Sequence, residues 1–104
     1  MPAALGYRVL QAEDAAAALR ILDREPGIAL LFTDVVLPGG DGVTLAREAR
    51  LRRPRLAVLY TSGYASGSVL DRIPEAERDN LIAKPYRREE LALKVRRALA
   101  PRAG

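Results

Sequence analysis

The sequence predicts an α/β fold in which helices cover both faces of a parallel sheet. Short apolar runs without a polar break alternate along the chain with segments whose apolar residues recur at helical spacing. An unbroken apolar run is typical of a strand that is buried on both faces, as the strands of parallel sheets are. Strands that alternate with helices are joined by right-handed crossovers, which make the strands parallel to one another.

Four segments are predicted to be strands. Residues 7–11 alternate in polarity between a glycine and an acidic pair, whereas the other three segments are almost wholly apolar. These three are residues 28–33, 56–61 and 81–83. Loops rich in glycine or polar residues are expected at 34–42 and 62–67.

Capping and breaking residues bound the first two predicted helices. The first helix begins at Glu13 or Asp14, with Asp14 as its N-cap, and it ends at Glu25 before a Pro-Gly pair. The second begins at Val43 and ends before Pro54, because the residue that precedes a proline avoids the helical conformation.

Two more helices are predicted in the last third of the chain. Residues 68–73 are predicted to form a short helix, and the polar residues 74–80 a connection. The last helix is expected over residues 88–100, and its apolar residues recur on one face. That face consists of Leu91, Val95 and Leu99.

Length and composition limit the chemistry that this chain can perform. It has 104 residues, so we expect residues 1–104 to form a single domain. It has no Cys and no His, which excludes disulfides, thiol catalysis, histidine acid–base catalysis and metal sites built from these residues. No apolar run is long enough to cross a membrane and no signal-peptide pattern begins the chain, so we expect a cytoplasmic location without membrane contact.

The net charge of +4 comes from the end of the chain. Residues 1–86 contain 11 basic and 11 acidic residues, whereas residues 87–104 contain six basic and two acidic ones. We interpret this excess as a solvated basic face of the last helix. A nucleic-acid site is disfavoured because no helix-turn-helix or stacking-aromatic pattern accompanies it. An enzyme is disfavoured because no glycine-rich phosphate loop precedes a helix.

A carboxylate, a hydroxyl and an ammonium group stand where three of the predicted strands end. They belong to Asp34, to the pair Thr61-Ser62 and to Lys84. Because parallel strands bring their carboxyl ends to one edge of the sheet, we expect these side chains to converge. Taken singly, Asp34 is interpreted as a turn cap, Ser62 as a turn residue and Lys84 as a surface lysine. Their joint placement at the strand ends favours a functional site instead. A carboxylate can accept a phosphoryl group, which the ammonium and the hydroxyl can bind.

In this arrangement the chain resembles the receiver domain of two-component response regulators. Residues 33–42 are similar to the family's phosphoacceptor loop around Asp34. Pro38 and the turn formed by Asp41 and Gly42 have the family's spacing within that loop.

Two further motifs support the resemblance. Residues 61–64 resemble the segment that carries the family's switch hydroxyl, and Ser62 aligns with it because the small Gly63 follows, with Thr61 as the alternative. Lys84 is 22 residues beyond Ser62, which is itself 28 residues beyond the phosphoacceptor, and both spacings are compatible with the family.

The third motif is a lysine followed by a proline and an aromatic residue. It consists of Lys84, Pro85 and Tyr86, and it resembles the family's motif in which the Lys-Pro bond is usually cis.

The resemblance implies a flavodoxin-like fold in which Asp34 accepts a phosphoryl group from a sensor histidine kinase or a phosphotransfer protein. It implies a magnesium ion that bridges the phosphoryl oxygens, with Asp34 and the backbone carbonyl of Val36 among its ligands. Lys84 would pair with the phosphoryl group, and Ser62 would move toward it. The family's aromatic switch position falls on Leu81, so we expect that relay to be muted or different.

The family's first strand, which ends in two acidic residues, and most of its first helix have no counterpart in this chain. By typical element lengths they amount to roughly 20 residues. We therefore expect a receiver that is incomplete at its N-terminus and binds magnesium weakly. In the family this strand lies between the strands at 7–11 and 28–33. Either these two pair directly, or an edge of the sheet is open to self-association.

Three explanations of this gap stay open from the sequence. They are a misplaced start or truncation, a degenerate receiver, and a rearranged or swapped fold. A degenerate receiver would be a phosphorylation-independent protein-interaction module, which is the alternative to a phosphoacceptor. It would bind a partner through the fourth helix, the last strand and the last helix of the family's fold.

Overall fold

A parallel sheet is the centre of the fold in the computed structural model, which describes residues 9–38, 40–63 and 71–99. Within these residues the sheet has three strands in the order β1-β4-β5, and a separate hairpin pairs β2 with β3. In chain order the elements are α1 (Ala15–Arg24), β1 (Leu30–Asp34), β2 (Val36–Leu37), β3 (Gly40–Asp41), α2 (Gly42–Arg52), β4 (Ala57–Ser62), a 3-10 helix (Glu75–Asn80), β5 (Leu81–Ala83) and α3 (Arg88–Leu99).

The strand pairs confirm the predicted parallel sheet. Strand β1 runs parallel to β4 along its whole length, and Asp34 is opposite Thr61. Strand β5 runs parallel to the second half of β4, and Ser62 is opposite Ala83. The carboxyl ends of all three strands therefore meet at one edge of the sheet, with the end of β4 in the middle.

Helices cover both faces of the sheet, as predicted, because successive residues of β4 point in opposite directions. Val58 and Tyr60 are buried on one face, where they form a core with residues of α2. Leu59 is buried on the other face, where it packs with residues of α3. The contributing helix residues are Val43 and Ala46 from α2, and Leu91 and Val95 from α3.

Helix α1 packs beside α2 and begins where the capping signal predicted. The Asp14 side chain accepts a hydrogen bond from the backbone N–H of Ala17 at 2.8 Å, and this contact starts the helix. At the other end of the helix, the Arg53 guanidinium donates to backbone carbonyls of the last turn of α1 and of the connection into β1. These acceptors are the carbonyls of Leu22, Glu25, Pro26 and Ile28.

The predicted boundaries agree with the structure to within about two residues for the long elements. The strand predicted at 28–33 is observed as β1, and the one predicted at 56–61 as β4. Both observed strands end one residue later than predicted, so each includes the polar residue that was expected to follow it. Half of the helix predicted at 68–73 lies outside the described residues, and in the described half Asp71 and Arg72 are helical.

Three local predictions were wrong. Residues 9–11 form no strand, and Val9 and Leu10 are exposed, because no described strand lies beside them to supply hydrogen bonds (residues 7 and 8 lie outside the description). The loop expected at 34–42 contains the β2–β3 hairpin, with Pro38 in its turn. The connection expected at 74–80 is a 3-10 helix over Glu75–Asn80.

The edge of β1 that faces away from β4 has no neighbouring strand in the described part of the chain. Of the segment predicted at 7–11, residues 9–11 do not pair with β1, and residues 7 and 8 lie outside the described residues. Beside this edge of β1 lies a groove of about 730 Å³ between α1 and α3, which we call the β1 groove. That a second copy fills it by self-association stays a prediction.

Candidate functional site

Asp34 and Lys84 meet at the carboxyl end of the sheet, although they are 50 residues apart in the chain. Asp34 is the last residue of β1, and Lys84 directly follows β5. The Lys84 Nζ atom lies 2.9 Å from Asp34 Oδ1 and 3.2 Å from Oδ2, so the ammonium group contacts both carboxylate oxygens. The Asp34 side chain is 40% exposed and the Lys84 side chain is 45% exposed, so this ion pair is open to a reacting partner.

Contacts around the next residue position the Asp34 backbone. Val35 is fully buried, and its N–H donates to the Thr61 carbonyl at 2.9 Å, which continues the β1–β4 ladder past the site. The Val35 carbonyl in turn accepts from the N–H of Gly42 at 2.7 Å. The Thr33 hydroxyl donates to the Asp34 carbonyl at 2.9 Å. Thr33 was not predicted as a site residue, because a hydroxyl directly before the aspartate was its only signal in the sequence.

Gly42 is where the start of α2 crosses over the Asp34 backbone. A Cβ atom at residue 42 would lie 2.0 Å from the Asp34 carbonyl oxygen and 3.0 Å from the Thr33 methyl group. No side chain fits at that distance, so the close approach of α2 to the end of β1 requires glycine. This gives a physical reason for the glycine of the predicted turn.

Asp41 starts α2, and both of its carboxylate oxygens are engaged there. Its Oδ1 accepts from the Thr44 backbone N–H at 2.7 Å, and its Oδ2 accepts from the Thr44 hydroxyl at 3.2 Å. The backbone N–H of Thr44 is the main cause that lowers the Asp41 pKa, and the Arg72 guanidinium, 3.6 Å away, lowers it further. The carboxylate therefore acts as a charged helix cap.

The two hydroxyls weighed for the switch have different surroundings. The Thr61 hydroxyl is buried and donates to the Ile82 carbonyl at 2.8 Å, so it links β4 to β5. Ser62 is also buried, and its carbonyl accepts from the Lys84 N–H at 3.0 Å. A backbone hydrogen bond therefore connects Ser62 to Lys84, two of the predicted site residues. Gly63 follows at the end of the described segment.

The motif that begins at Lys84 also anchors the sheet edge. The Lys84–Pro85 peptide bond is cis. The next residue, Tyr86, packs its ring edge-on against Phe32 of β1, with the ring centroids 5.9 Å apart at an angle of 67°. This aromatic contact lies on the α3 face of the sheet.

The described residues do not fit a magnesium site by themselves. In the ranges that the structure describes, no three acidic side chains lie together as metal ligands would. Asp34 supplies one carboxylate, and Lys84 already contacts both its oxygens. Asp14, which also lines the β1 groove, is engaged as the cap of α1. Magnesium prefers several oxygen ligands around one ion. That the Val36 carbonyl is a ligand stays a prediction.

A comparison with protein-family models identifies the class of protein. The model of the response regulator receiver domain matches residues 3–96. This match covers most of the chain, so the chain belongs to the family of response regulator receiver domains, and the resemblance seen in the sequence is confirmed.

Relatives and solved structures agree with this family. The response regulator receiver protein CpdR of Brucella abortus (strain 2308) is 34% identical over 95 residues, which cover 90% of this chain and 78% of that protein. The sensor kinase CckA of the same organism is 33% identical over 95 residues, but these are only 10% of its length. A CheY-like receiver domain protein from Methanospirillum hungatei JF-1 has a TM-score of 0.79 and 30% identity, over 90% of this chain and 74% of that one.

The described helices carry no membrane-spanning signal. None of them is both long enough and apolar enough to cross a bilayer.

Proposed function

We propose that this receiver is a phosphoacceptor in two-component signal transduction, with Asp34 as the residue that is phosphorylated. The observation that carries the proposal is the position of Asp34. Its carboxylate ends β1 at the carboxyl edge of the sheet, is partly exposed, and contacts an ammonium group from a distant part of the chain. Chemistry in open parallel sheets takes place at this edge.

The proposed reaction transfers a phosphoryl group from a phosphohistidine of a sensor kinase or a phosphotransfer protein. One carboxylate oxygen of Asp34 attacks the phosphorus, the P–O bond forms, and the P–N bond of the donor breaks. The histidine nitrogen keeps the electron pair and takes up a proton from water. The product is an acyl phosphate on Asp34, and the chain itself catalyses no turnover of a substrate.

Lys84 is proposed to hold the phosphoryl group after transfer. Its ammonium group already lies within 3.2 Å of both carboxylate oxygens, so a short movement brings it to the phosphoryl oxygens. A charge-assisted contact with a dianion is stronger than one with a single carboxylate. The ion pair with Asp34 would thus be exchanged for an ion pair with the phosphoryl group.

Ser62 is proposed as the hydroxyl that responds to phosphorylation. Its backbone is bonded to that of Lys84, so a shift of the lysine is transmitted to the end of β4. The alternative, Thr61, already donates its hydroxyl proton to the Ile82 carbonyl and would have to break that buried bond. The backbone contact with Lys84 is the observation that supports Ser62 in this proposal.

We expect this chain to bind magnesium weakly, because one carboxylate is all that the described residues offer at the site. No step of the proposed transfer is assigned to a metal. Titration with magnesium, followed through the amide NMR signals of Asp34 and Val35, measures this affinity. Saturation at micromolar magnesium would contradict the expectation.

The experiment that tests the proposal is incubation with acetyl phosphate, followed by intact-mass measurement. We expect one phosphoryl adduct that is stable in acid and labile in base, as an acyl phosphate is. Asp34→Asn should abolish the adduct, whereas Asp41→Asn, a change of the same type in the same loop, should keep it. An adduct that persists in Asp34→Asn, or none in the unchanged protein with and without magnesium, would contradict the proposal.

The second candidate function is an interaction module that works without phosphorylation. Two observations favour it: no three acidic side chains lie together in the residues that the structure describes, and the Asp34 carboxylate has an ion-pair partner in Lys84. In this case a partner would bind equally well to the unchanged protein and to Asp34→Asn, with or without a phosphoryl donor. A difference between these states would exclude the module.

A further inference from the structure

We infer that the protein binds a small anion with a diphosphate group in a pocket at the amino end of the sheet, which we call the basic pocket. Its volume is about 520 Å³, and it lies between α2, the first half of β4, the 3-10 helix and α3. Its polar and charged lining residues are Arg50, Asp79, Asn80, Lys94 and Arg97. The inference does not depend on phosphorylation of Asp34, which lies at the opposite, carboxyl end of the sheet.

The shortness of β5 makes room for the basic pocket. Strand β5 pairs with residues 60–62, the second half of β4. The residues directly before β5 form the 3-10 helix and so do not extend this pairing along β4. In the ladder with β1, the Ala57 N–H donates to the Ala29 carbonyl, so the backbone groups of the next residue, Val58, point to the other side. Val58 lines the pocket there, and its N–H is a donor for an anion.

Basic side chains reach the pocket from both faces of the sheet. Helix α2 packs on the face of Val58, and α3 packs on the face of Leu59. Arg50 therefore comes from one face, whereas Lys94 and Arg97 come from the other. An anion with oxygens in several directions can contact both sets, because guanidinium and ammonium groups form charge-assisted hydrogen bonds with phosphate oxygens.

Two of the three cations keep a positive charge that no ion pair within the described residues balances. Arg97 is exposed, and its guanidinium has no ion-pair or hydrogen-bond partner among these residues. The Lys94 ammonium donates to the Asp79 backbone carbonyl, which is a neutral acceptor. Arg50 forms an ion pair with Glu77, so it contributes hydrogen-bond donors more than charge. Lys94 and Arg97 are therefore the residues that attract the anion.

Charge and volume together select a diphosphate group. A carboxylate has two oxygens in one plane, whereas a diphosphate has oxygens around two phosphorus atoms and can contact α2 and α3 at the same time. A pocket of this volume has room for two linked phosphoryl groups. Asp79 is the one acidic residue among the described lining residues, and its carboxylate opposes the anion. Three cations outweigh it, so the lining as a whole favours an anion.

Titration of the whole protein with inorganic diphosphate, at constant ionic strength and without magnesium, tests the inference. We expect the amide NMR signals of Val58 and Asn80 to shift and to saturate, with a Kd on the order of 1 mM or lower. The amides of Asp34 and Val35 report binding at the phosphoacceptor separately. No saturable shift at Val58 and Asn80, or shifts confined to Asp34 and Val35, would overturn the inference.

Two neighbouring arginines of α3 provide a matched pair of variants. Arg97 lines the pocket, whereas Arg96 is outside its lining, and both are exposed. Arg97→Gln should raise the Kd for diphosphate about fivefold, because a charge-assisted contact is lost. Arg96→Gln changes the net charge by the same amount and should raise the Kd less than about twofold. Equal effects would show that net charge alone attracts the anion, and the inference would be wrong.

The acidic lining residue gives a test in the opposite direction. Asp79→Asn removes the carboxylate that opposes the anion and should lower the Kd about threefold. Asp71→Asn is the control, because Asp71 is also exposed but lies outside the lining, and it should change the Kd little. Both variants replace exposed side chains, so we expect them to fold, and thermal unfolding checks this. An unchanged or raised Kd in Asp79→Asn would contradict the inference.

The diphosphate group can belong to the free anion or to a nucleotide, and titration with ADP distinguishes these sources. A Kd for ADP at or below that for diphosphate assigns the pocket to a nucleotide, and a higher one assigns it to the free anion. Both results support a diphosphate site, provided that Arg97→Gln weakens binding. Binding of either ligand that Arg97→Gln leaves unchanged would overturn the inference.

Discussion

The two sides of β1 differ in how completely they are packed. On one side lies β4, in which five of six residues are buried and which pairs with all five residues of β1. The other side is the β1 groove, and β1 itself has one buried residue among five. The residues proposed for phosphoryl transfer belong to the packed side, since Ser62 and Lys84 come from β4 and the end of β5. Packing thus positions the chemistry on one side of β1, whereas no described strand lies on the other side.

The largest effect on stability is expected from a leucine-to-alanine substitution, which we compare between β4 and β1. Leu59 of β4 and Leu30 of β1 both pack toward α3, but Leu59 is 1% exposed whereas Leu30 is only partly buried. Leu59→Ala should lower the free energy of unfolding by about 2–5 kcal/mol. Leu30→Ala should lower it by about 1–2 kcal/mol, because less area is lost from the core. Urea denaturation measures both, and equal losses would show that the two strands are equally packed.

Next in size is the loss of the Arg53 guanidinium. Arg53, at the end of α2, donates hydrogen bonds to the backbone carbonyls of four residues at and after the end of α1. It thereby connects α2 to α1, which forms one wall of the β1 groove. Arg53→Met should lower the free energy of unfolding by about 1–3 kcal/mol, since these partly buried carbonyls lose their donor. Arg55→Met, at an exposed position two residues away, should change it by less than about 0.5 kcal/mol. Thermal unfolding of the two variants provides the comparison, and similar losses would contradict a special role for Arg53.

Gly42→Ala should have a similar or slightly smaller effect, with a local signature at the site. The added methyl group would overlap the Asp34 carbonyl, so α2 or the end of β1 must shift. Such overpacking destabilises by about 1–3 kcal/mol. Gly40→Ala is the control, because nothing lies within 4 Å of its added Cβ. Amide chemical shifts of Asp34 and Val35 should move in the first variant and stay in place in the second.

The smallest effect concerns the pH dependence of the α2 cap. The pKa of Asp41 is lower in the folded protein than in the unfolded chain, where it is near 3.8. The charged carboxylate therefore stabilises the fold at pH values above about 3.8. That contribution is lost as the pH falls through the lower, folded pKa. Asp41→Asn keeps a capping oxygen but loses the charge, so its deficit in stability should be steady above pH about 5 and shrink below pH about 4. A deficit that grows in acid would contradict the assignment.

The sequence predicted the parts of the fold that depend on local signals or on topology. Asp14 capped α1 as expected, because an N-cap acts on the residues that directly follow it. Asp34 and Lys84 met because parallel strands bring their ends to one edge, and this required no knowledge of side-chain positions. The family match then explained why these residue types occur together.

The errors arose where structure depends on a distant partner. Residues 9–11 alternate like a strand, but a strand needs a neighbour to receive its hydrogen bonds. The β2–β3 hairpin is two residues long on each side, too short to leave a periodic pattern. The contacts of Arg53 join the end of α2 to carbonyls at least 25 residues away, so spacing in the sequence gives no sign of them.

The most direct test of the central claim is chemical identification of the phosphorylated residue. Borohydride reduces an acyl phosphate to an alcohol and so converts a phosphorylated aspartate to homoserine. After treatment with a phosphoryl donor, reduction and proteolysis, tandem mass spectrometry should find homoserine at position 34 and at no other aspartate. Homoserine at Asp41 or elsewhere, or none in a protein that shows a phosphoryl adduct, would contradict the assignment of Asp34.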